Sequence, residues 1–240
     1  MITSHTDVIG SLLRPPELLE AREALAAGTL SSSQFKDIEE RAVDSAVALQ
    51  EEVGLEVVTD GEMRRISFQS QMTAAVEGFA DHDINAFLWG KWHSQELGEW
   101  SVDRPSSLGV VSKLRRRRYL SADEFAYLRE HTSRIPKVTL PSPTLFTNFW
   151  SGSSAEVYPT LDAFLEDVVR ILREEVAELV RLGATYIQLD APHYTQLLDE
   201  RTRPFYEERG GSLDRWLARG VELENAVMAG FPDVTFGFHL

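Results

Sequence analysis

Three short apolar segments of this chain each run directly into ionisable side chains. The segments and the residues that follow them are 56–59 before Asp60 and Glu62, 186–189 before Asp190 and His193, and 234–238 before His239. A helical pattern that ends at a glycine precedes each segment, at Gly54, Gly183 and Gly230. This order of helix, glycine turn and apolar strand predicts parallel strands joined by crossover helices. The carboxyl ends of such strands open onto one crevice, so we predict a site there.

The number of strands limits the architecture. The sequence predicts an α/β fold in a single domain, residues 1–240, with about five parallel strands where a closed (β/α)8 barrel needs more. We therefore expect a barrel that lacks its last strands at the C-terminal end. The alternative is that another chain completes the sheet, because the last predicted strand leaves a bare apolar edge. Residues 84–118 are rich in aromatic residues, glycine and serine, and predict an inserted hairpin region. The sequence also predicts a short strand and turn over 8–13 and a helix over 64–79.

Charge and residue usage argue against several classes of function. A formal net charge of -14 argues against nucleic-acid binding, which requires a basic surface. No apolar run approaches the roughly 20 residues that cross a bilayer, so no membrane partner is expected. The N-terminal residues lack the pattern of a secretory signal, and we expect a cytoplasmic protein, with an oligomer left open. The chain contains 0 Cys and therefore forms no disulfide.

One basic run, residues 113–118, stands out against the acidic background. It reads Lys-Leu-Arg-Arg-Arg-Arg. One interpretation is a solvated edge, such as the polar face of a hairpin strand. The other is a clamp for an anionic tail, such as a polyglutamate or a phosphate. A run this short fits both interpretations.

The polar residues at the predicted strand ends are the candidates for catalysis and binding. Asp190 ends an apolar strand, where burial is costly without a partner or a function, and we predict that it binds substrate and takes part in catalysis. His193 is a candidate acid or base, a ligand, or a polar residue at a helix start. Glu62 is either a binding carboxylate or a surface residue at a helix start. Ser11 follows Gly10 in a turn whose N–H groups can bind a carboxylate.

Two further candidates depend on aromatic or imidazole chemistry. Trp150 lies in an aromatic loop after a predicted strand. It can stack on a flat ring such as a pterin, or it can pack beneath the inserted region. His239 ends the last predicted strand between Phe238 and Leu240. An isolated histidine on an apolar strand is more often a hydrogen-bonded core residue than a metal ligand, but its place at the same sheet edge as Asp190 favours a ligand.

Five segments match a known family in its order and span the whole chain. With them the chain resembles the cobalamin-independent methionine synthases, specifically the relatives that consist only of their C-terminal catalytic half. The matching segments are Val-Ile-Gly-Ser-Leu-Leu-Arg-Pro at 8–15, Val-Thr-Asp-Gly-Glu at 58–62, Lys-Val-Thr-Leu-Pro-Ser-Pro-Thr at 137–144, Tyr-Ile-Gln-Leu-Asp-Ala-Pro at 186–192 and Gly-Phe-His-Leu at 237–240.

This resemblance implies a (β/α)8 barrel that transfers a methyl group from a folate, 5-methyltetrahydrofolate, to homocysteine or a related thiol. It implies a zinc ion that binds the thiol and favours the thiolate as the attacking species. The first zinc ligand falls at His239, and the remaining ligands are expected beyond Leu240. The resemblance also implies that Ser11, Glu62 and Asp190 bind the amino and carboxylate groups of an amino-acid thiol.

The chain departs from the synthase pattern in places. Ala191 stands where the synthases have glutamate, His193 has no counterpart in their pattern, and no cysteine is present to bind zinc. One alternative is a metal-free barrel lyase or decarboxylase that uses Asp190 and His193 as acid and base. The other is a non-catalytic barrel fragment that pairs its last strand with a partner.

Overall fold

Helices alternate with parallel strands along most of the chain. The computed structural model describes residues 6–67, 70–81, 90–94, 98–102, 108–200, 203–210 and 212–240. The α-helices in these residues are α1 (Pro16–Ala26), α2 (Ser32–Glu52), α3 (Ser70–Ala75), α4 (Ala122–His131), α5 (Leu161–Arg181), α6 (His193–Gln196), α7 (Arg203–Gly210) and α8 (Leu213–Met228). The strands are β1 (Val57–Val58), β2 (Val76–Asp81), β3 (Gly90–Ser94), β4 (Gly98–Val102), β5 (Leu108–Arg116), β6 (Ile135–Pro141), β7 (Tyr186–Asp190) and β8 (Thr235–His239).

The long helices begin at capping side chains and present one apolar face to the sheet. The Thr160 hydroxyl accepts the Ala163 N–H at 3.1 Å and caps α5. Gly183, at φ +97°, takes the left-handed conformation that ends this helix and leads into β7. The buried apolar residues of α5 recur at helical spacing and form the centre of the core: Leu161, Phe164, Leu165, Val168, Val169, Ile171, Leu172, Val176 and Leu179.

Four strands form one parallel sheet in the order β1, β6, β7, β8. Val57 pairs with Ile135, Lys137 with Tyr186, and Asp190 with His239. The carboxyl ends of the strands therefore lie at one edge, as the α/β prediction requires. β8 is an outer strand of this sheet, and Phe238 is 43% exposed. The prediction of a single domain over residues 1–240 stays a prediction.

The inserted region is antiparallel, as expected, but it begins before residue 84. β2 pairs with β5, and β3 pairs with β4. The sequence predicted a helix over 64–79, whereas α3 ends at Ala75 and β2 begins at Val76. Long-range pairing with β5 overrides the local helical pattern there. Gly78, at φ +120°, lies at an irregularity in the register, and an added Cβ would meet the Ser112 carbonyl oxygen at 2.9 Å.

The segment 8–13, predicted as a strand, contains no strand in the structure. It is held instead by individual hydrogen bonds. The Leu12 N–H donates to the Gly61 carbonyl at 3.1 Å, and the Gln188 side chain donates to the Ile9 carbonyl at 2.7 Å. One backbone bond to the turn after β1 and one bond from a side chain of β7 thus hold this segment in place of a strand ladder.

No helix in the described part of the chain is both long enough and apolar enough to cross a bilayer.

Candidate active site

The turn after β1 directs Glu62 toward the carboxyl edge of the sheet. Gly61 has φ +68° and Glu62 has φ +56°, a left-handed conformation that costs a residue with a Cβ about 1–2 kcal/mol. An added Cβ at Gly61 would lie 3.1 Å from Ala46 Cβ, so glycine also permits α2 to approach. The Glu62 N–H donates to Asp60 Oδ1 at 2.9 Å. Strain of this kind clusters at functional sites, which makes Glu62 a strong candidate.

The Glu62 carboxylate is 1% exposed and collects three donors. Ser11 donates to Oε2 at 2.5 Å, and Thr139 donates to Oε1 at 2.8 Å. Arg65 donates to the same Oε1 at 3.1 Å. The structure thus brings together Ser11 and Glu62, which the resemblance assigned to one substrate. Ser11 itself is exposed, whereas Glu62 is buried behind it.

Arg65 is the buried cation of this site. Its guanidinium donates through Nε and Nη2 to Glu124 Oε2, at 3.1 and 2.9 Å, and also reaches Glu62. Burial alone would lower the pKa of Arg65, but the charges of Glu124 and Glu62 raise it above its ordinary value. Burial also raises the pKa of Glu124, and Arg65 opposes that rise. Sequence reasoning missed Arg65 because its partners lie 59 and 74 positions away in Glu124 and Thr139.

Asp190 and His239 form the second pair at this edge. His239 Nδ1 lies 3.1 Å from Asp190 Oδ1, and Gln188 Nε2 donates to the same oxygen at 2.6 Å. Burial raises the pKa of Asp190, the hydrogen bond from Gln188 lowers it, and the charge of Glu62 raises it. The charge of Glu62 thus acts on the second predicted binding carboxylate. The roles of Ser11, Glu62, Asp190 and His239 remain predictions.

The residues present do not by themselves fit a catalytic zinc ion. Such a site uses about three protein ligands and one open position. His239 contacts Asp190, but the described residues contain no group of three histidine, cysteine, aspartate or glutamate side chains arranged to hold a metal. The chain also has 0 Cys. The zinc prediction therefore has a single imidazole, that of His239, behind it. We assign no chemical step at this site to a metal ion.

His193 lies in a separate buried network with Ser142, Thr144 and Glu224. Thr144 Oγ1 lies 2.8 Å from His193 Nε2 and donates to Glu224 Oε1 at 2.8 Å, and Ser142 donates to the same carboxylate oxygen. Burial lowers the pKa of His193 to about 3, so its imidazole is neutral at physiological pH. Burial raises the pKa of Glu224 to about 7. The catalytic role of His193 as an acid or base stays a prediction. Because its imidazole is neutral at neutral pH, His193 can act there as a base or as a hydrogen-bond partner.

Trp150 is half-buried and joins the protein core. Its Nε1–H donates to the Tyr158 carbonyl at 3.1 Å, and its ring packs against the buried apolar cluster that contains Phe149. These contacts match the packing interpretation of Trp150. Its predicted contact with a flat ring is a separate prediction that concerns the exposed remainder of the side chain.

Two buried polar residues in the strands were not among the site residues predicted from the sequence, although the strand pattern indicates them. Lys137 and Gln188 are buried in otherwise apolar strands, and each alternates with a site residue, Lys137 with Thr139 and Gln188 with Asp190. Residues two apart on a strand share a face. Two polar residues that are two positions apart in a buried strand therefore indicate that one face of the strand lines a polar site. This pattern could have identified Lys137 and Gln188 from the sequence.

The basic run at 113–118 pairs largely with glutamates on β2 and α5. Arg115 and Arg117 both contact Glu77 on the neighbouring strand β2, and Arg116 contacts Glu174 at 3.0 Å. These are exposed pairs of the type found on a solvated hairpin face. The observed contacts favour that interpretation over the anion clamp.

Parallel strands whose carboxyl ends hold a strained glutamate, a buried arginine and an aspartate–histidine pair define an α/β domain of the (β/α) barrel type. Residues 4–229 match the family described as "Cobalamin-independent synthase, Catalytic domain". The chain therefore belongs to this family, which confirms the resemblance seen in the sequence.

Individual relatives agree with this assignment. The chain is 31% identical to "Methionine synthase" of Pyrococcus abyssi, over 81% of this chain and 54% of that protein. It is 26% identical to "Uncharacterized protein YxjH" of Bacillus subtilis, over 98% of this chain and 61% of that protein. The chain thus spans a little over half the length of these relatives.

A solved structure shows the same fold. A candidate vitamin-B12-independent methionine synthase from Listeria monocytogenes superposes with a TM-score of 0.72 at 21% identity. The match covers 98% of this chain and 64% of that one. This agreement supports the α/β barrel class independently of sequence, although the four parallel strands of the described residues do not close into a ring.

Proposed function

We propose that this chain takes part in methyl transfer from a folate-type donor to the sulfur of an amino-acid thiol, homocysteine or a close analogue. Membership of the cobalamin-independent synthase family supports the proposal, as does the name methionine synthase carried by a relative at 31% identity. The observation that carries it is the meeting of two pairs, Ser11 with Glu62 and Asp190 with His239, at one edge of the sheet.

The charges at this edge suit an amino acid. Glu62 and Asp190 are carboxylates that can accept hydrogen bonds from the substrate ammonium group. Part of the Glu62 charge is already compensated by Arg65, so Asp190 is the better partner for an added cation. The turn at Gly10 and Ser11 is proposed to bind the substrate carboxylate. This division gives each end of the amino acid its own contact and fixes the direction of the thiol side chain.

The transfer itself requires a nucleophilic sulfur. The thiol loses its proton, and the sulfur electron pair forms the new bond to the methyl carbon. The bond from that carbon to the donor nitrogen breaks, its electrons stay on the nitrogen, and a proton completes the demethylated donor. The residues of this chain bind and orient the thiol, and Trp150 is proposed to contact the donor ring. Family membership favours this chemistry over the metal-free lyase alternative.

A labelled-methyl assay tests the proposal. The protein is incubated with 5-methyltetrahydrofolate that carries a 13C methyl group and with homocysteine, and labelled methionine is measured by mass spectrometry. Calorimetry with homocysteine measures binding separately. We expect Asp190→Asn to weaken binding at least about 10-fold through loss of a charged partner. Asp37→Asn, on the exposed face of α2, is the matched control and should bind as the parent protein does. Absence of both binding and label transfer in the parent protein would refute the proposal.

A further inference from the structure

We propose that Lys137 and Gln188 are positioning residues that lock the two halves of the amino-acid site together. One half is the N-terminal segment that carries Ser11, and the other is Asp190 at the end of β7. This inference rests on the proposed function, since it concerns the same site. It assigns a role to two residues that contact the binding side chains and not the reacting atoms.

Lys137 uses all three of its ammonium protons. Its side chain is 0% exposed, and Nζ donates to Asp7 Oδ2 at 2.9 Å, to the Val8 carbonyl at 2.6 Å and to Gln188 Oε1 at 2.7 Å. An ammonium group has three donors and no acceptor, so these contacts satisfy it completely. A buried lysine that is fully satisfied and paired with Asp7 holds a single geometry. Two of its three contacts fall on the N-terminal segment, a few residues before Ser11.

Lys137 also decides which way the Gln188 amide points. Because the ammonium group only donates, the oxygen of the amide must face it, and the NH2 group must face the opposite side. There Nε2 donates to the Ile9 carbonyl at 2.7 Å and to Asp190 Oδ1 at 2.6 Å. Both amide protons are thus used, and a flipped amide would place its oxygen against two acceptors. The amide therefore has one permitted orientation.

The Gln188 amide therefore joins the N-terminal segment that carries Ser11 to Asp190 through two hydrogen bonds. Gln188 bonds to Ile9, two positions before Ser11, and with its other proton to Asp190. Asp190 Oδ1 is occupied by Gln188 and His239, which leaves Oδ2 as the oxygen for a substrate. Oriented contacts of this kind set the alignment of binding groups, and their loss typically costs about 10–100-fold in affinity or activity.

The competing explanation is that Lys137 and Gln188 only stabilise the fold. Three variants distinguish this structural role from the proposed positioning role. Gln188→Met keeps the volume and removes both donors. Gln188→Glu keeps an oxygen for Lys137 but cannot donate to Asp190 or Ile9. Lys137→Met leaves the amide free to rotate. Tyr158→Phe is the matched control, since it loses the buried hydrogen bond that the Tyr158 hydroxyl accepts from the Leu114 N–H.

Binding and turnover give the first readout. We expect Gln188→Met and Gln188→Glu to raise Kd and KM for homocysteine about 10–100-fold while KM for the methyl donor changes little. Lys137→Met should have a smaller effect in the same direction. The control should lower Tm without changing Kd. If Gln188→Met lowers Tm as the control does and leaves Kd and KM unchanged, the positioning role is wrong.

A second readout does not depend on the substrate. In 15N spectra the side-chain NH2 signal of Gln188, identified by its loss in Gln188→Met, should exchange slowly with solvent and should shift in both Lys137→Met and Asp190→Asn. If the parent protein binds no homocysteine but the signal behaves in this way, the link exists and the proposed function fails. If the signal exchanges freely and ignores both variants, the link itself is refuted.

Discussion

The Ser11 hydroxyl donates a 2.5 Å hydrogen bond to Glu62 Oε2 across 51 positions of sequence. Glu62 is held on its other oxygen by Thr139 and Arg65, so Ser11 is the partner nearest to solvent. The contact fixes the rotamer of a carboxylate that already sits on a strained backbone. A substrate that reaches Glu62 must therefore pass or replace the Ser11 hydroxyl.

The first prediction follows from this contact. Ser11→Ala should weaken homocysteine binding about 5–10-fold, because the lost hydrogen bond to Glu62 contributes roughly 1 kcal/mol. Glu62 is buried and loses the same hydrogen bond in the absence of substrate, so Tm should fall by about 2–4 °C. Calorimetry and thermal unfolding measure the two effects. Ser45→Ala, an exposed serine on α2 that bonds to its own helix, is the control. An unchanged Kd in Ser11→Ala would contradict the assignment.

The second prediction concerns Arg65. Arg65→Met should lower the free energy of unfolding by about 3–5 kcal/mol, because it leaves Glu62 and Glu124 as buried carboxylates without their cation. Chemical denaturation measures the loss. Arg181→Met removes a pair with Glu178 in which the arginine is 67% exposed, and it should cost far less stability because solvent screens that pair. Equal losses in the two variants would show that Arg65 does not stabilise the fold by compensating the buried carboxylates of Glu62 and Glu124.

The sequence predicted the part of the site that follows from strand direction. Asp190 and His239 end neighbouring parallel strands, so the rule that carboxyl ends share an edge is enough to place them together. The same rule anticipated Glu62 beyond β1. The placement of these residues at one edge could be foreseen because it depends on a local pattern and one general property of parallel sheets, whereas their roles stay predictions.

The residues that the sequence did not reveal are those whose role depends on distant partners. Gln188 bonds to Ile9 across 179 positions, and Arg65 bonds to Thr139 across 74. No local pattern encodes such contacts. The strand β2 was misread as helix for the same reason, since its pairing with Arg116 and its neighbours is long-range.

The third prediction concerns zinc. His239 is the sole side chain that the family pattern offers as a ligand in this chain, and the chain has 0 Cys. A single imidazole cannot supply the roughly three protein ligands of a catalytic zinc site. The purified 240-residue chain should therefore contain well under one zinc per molecule after dialysis, as measured by plasma mass spectrometry. A stoichiometric content that disappears in His239→Ala would overturn this expectation.

The last prediction is a pH dependence of stability that originates at Glu224. Burial raises its pKa from 4.5 to about 7, so the folded state binds this proton more tightly than the unfolded state does. The stabilising effect is complete below pH 4.5 and is lost as the pH rises to about 7, a change of about 3 kcal/mol in the free energy of unfolding. His193 acts in the opposite direction, since its pKa of about 3 makes stability fall below pH 6.5.

Glu224→Gln should remove the Glu224 trend and keep the His193 trend. Because the two trends nearly cancel in the parent protein between pH 5 and pH 7.5, we expect its denaturation curves at these two pH values to differ little, whereas Glu224→Gln should be more stable at pH 7.5 than at pH 5 by about 2 kcal/mol. An identical difference in both proteins would exclude Glu224 as the source.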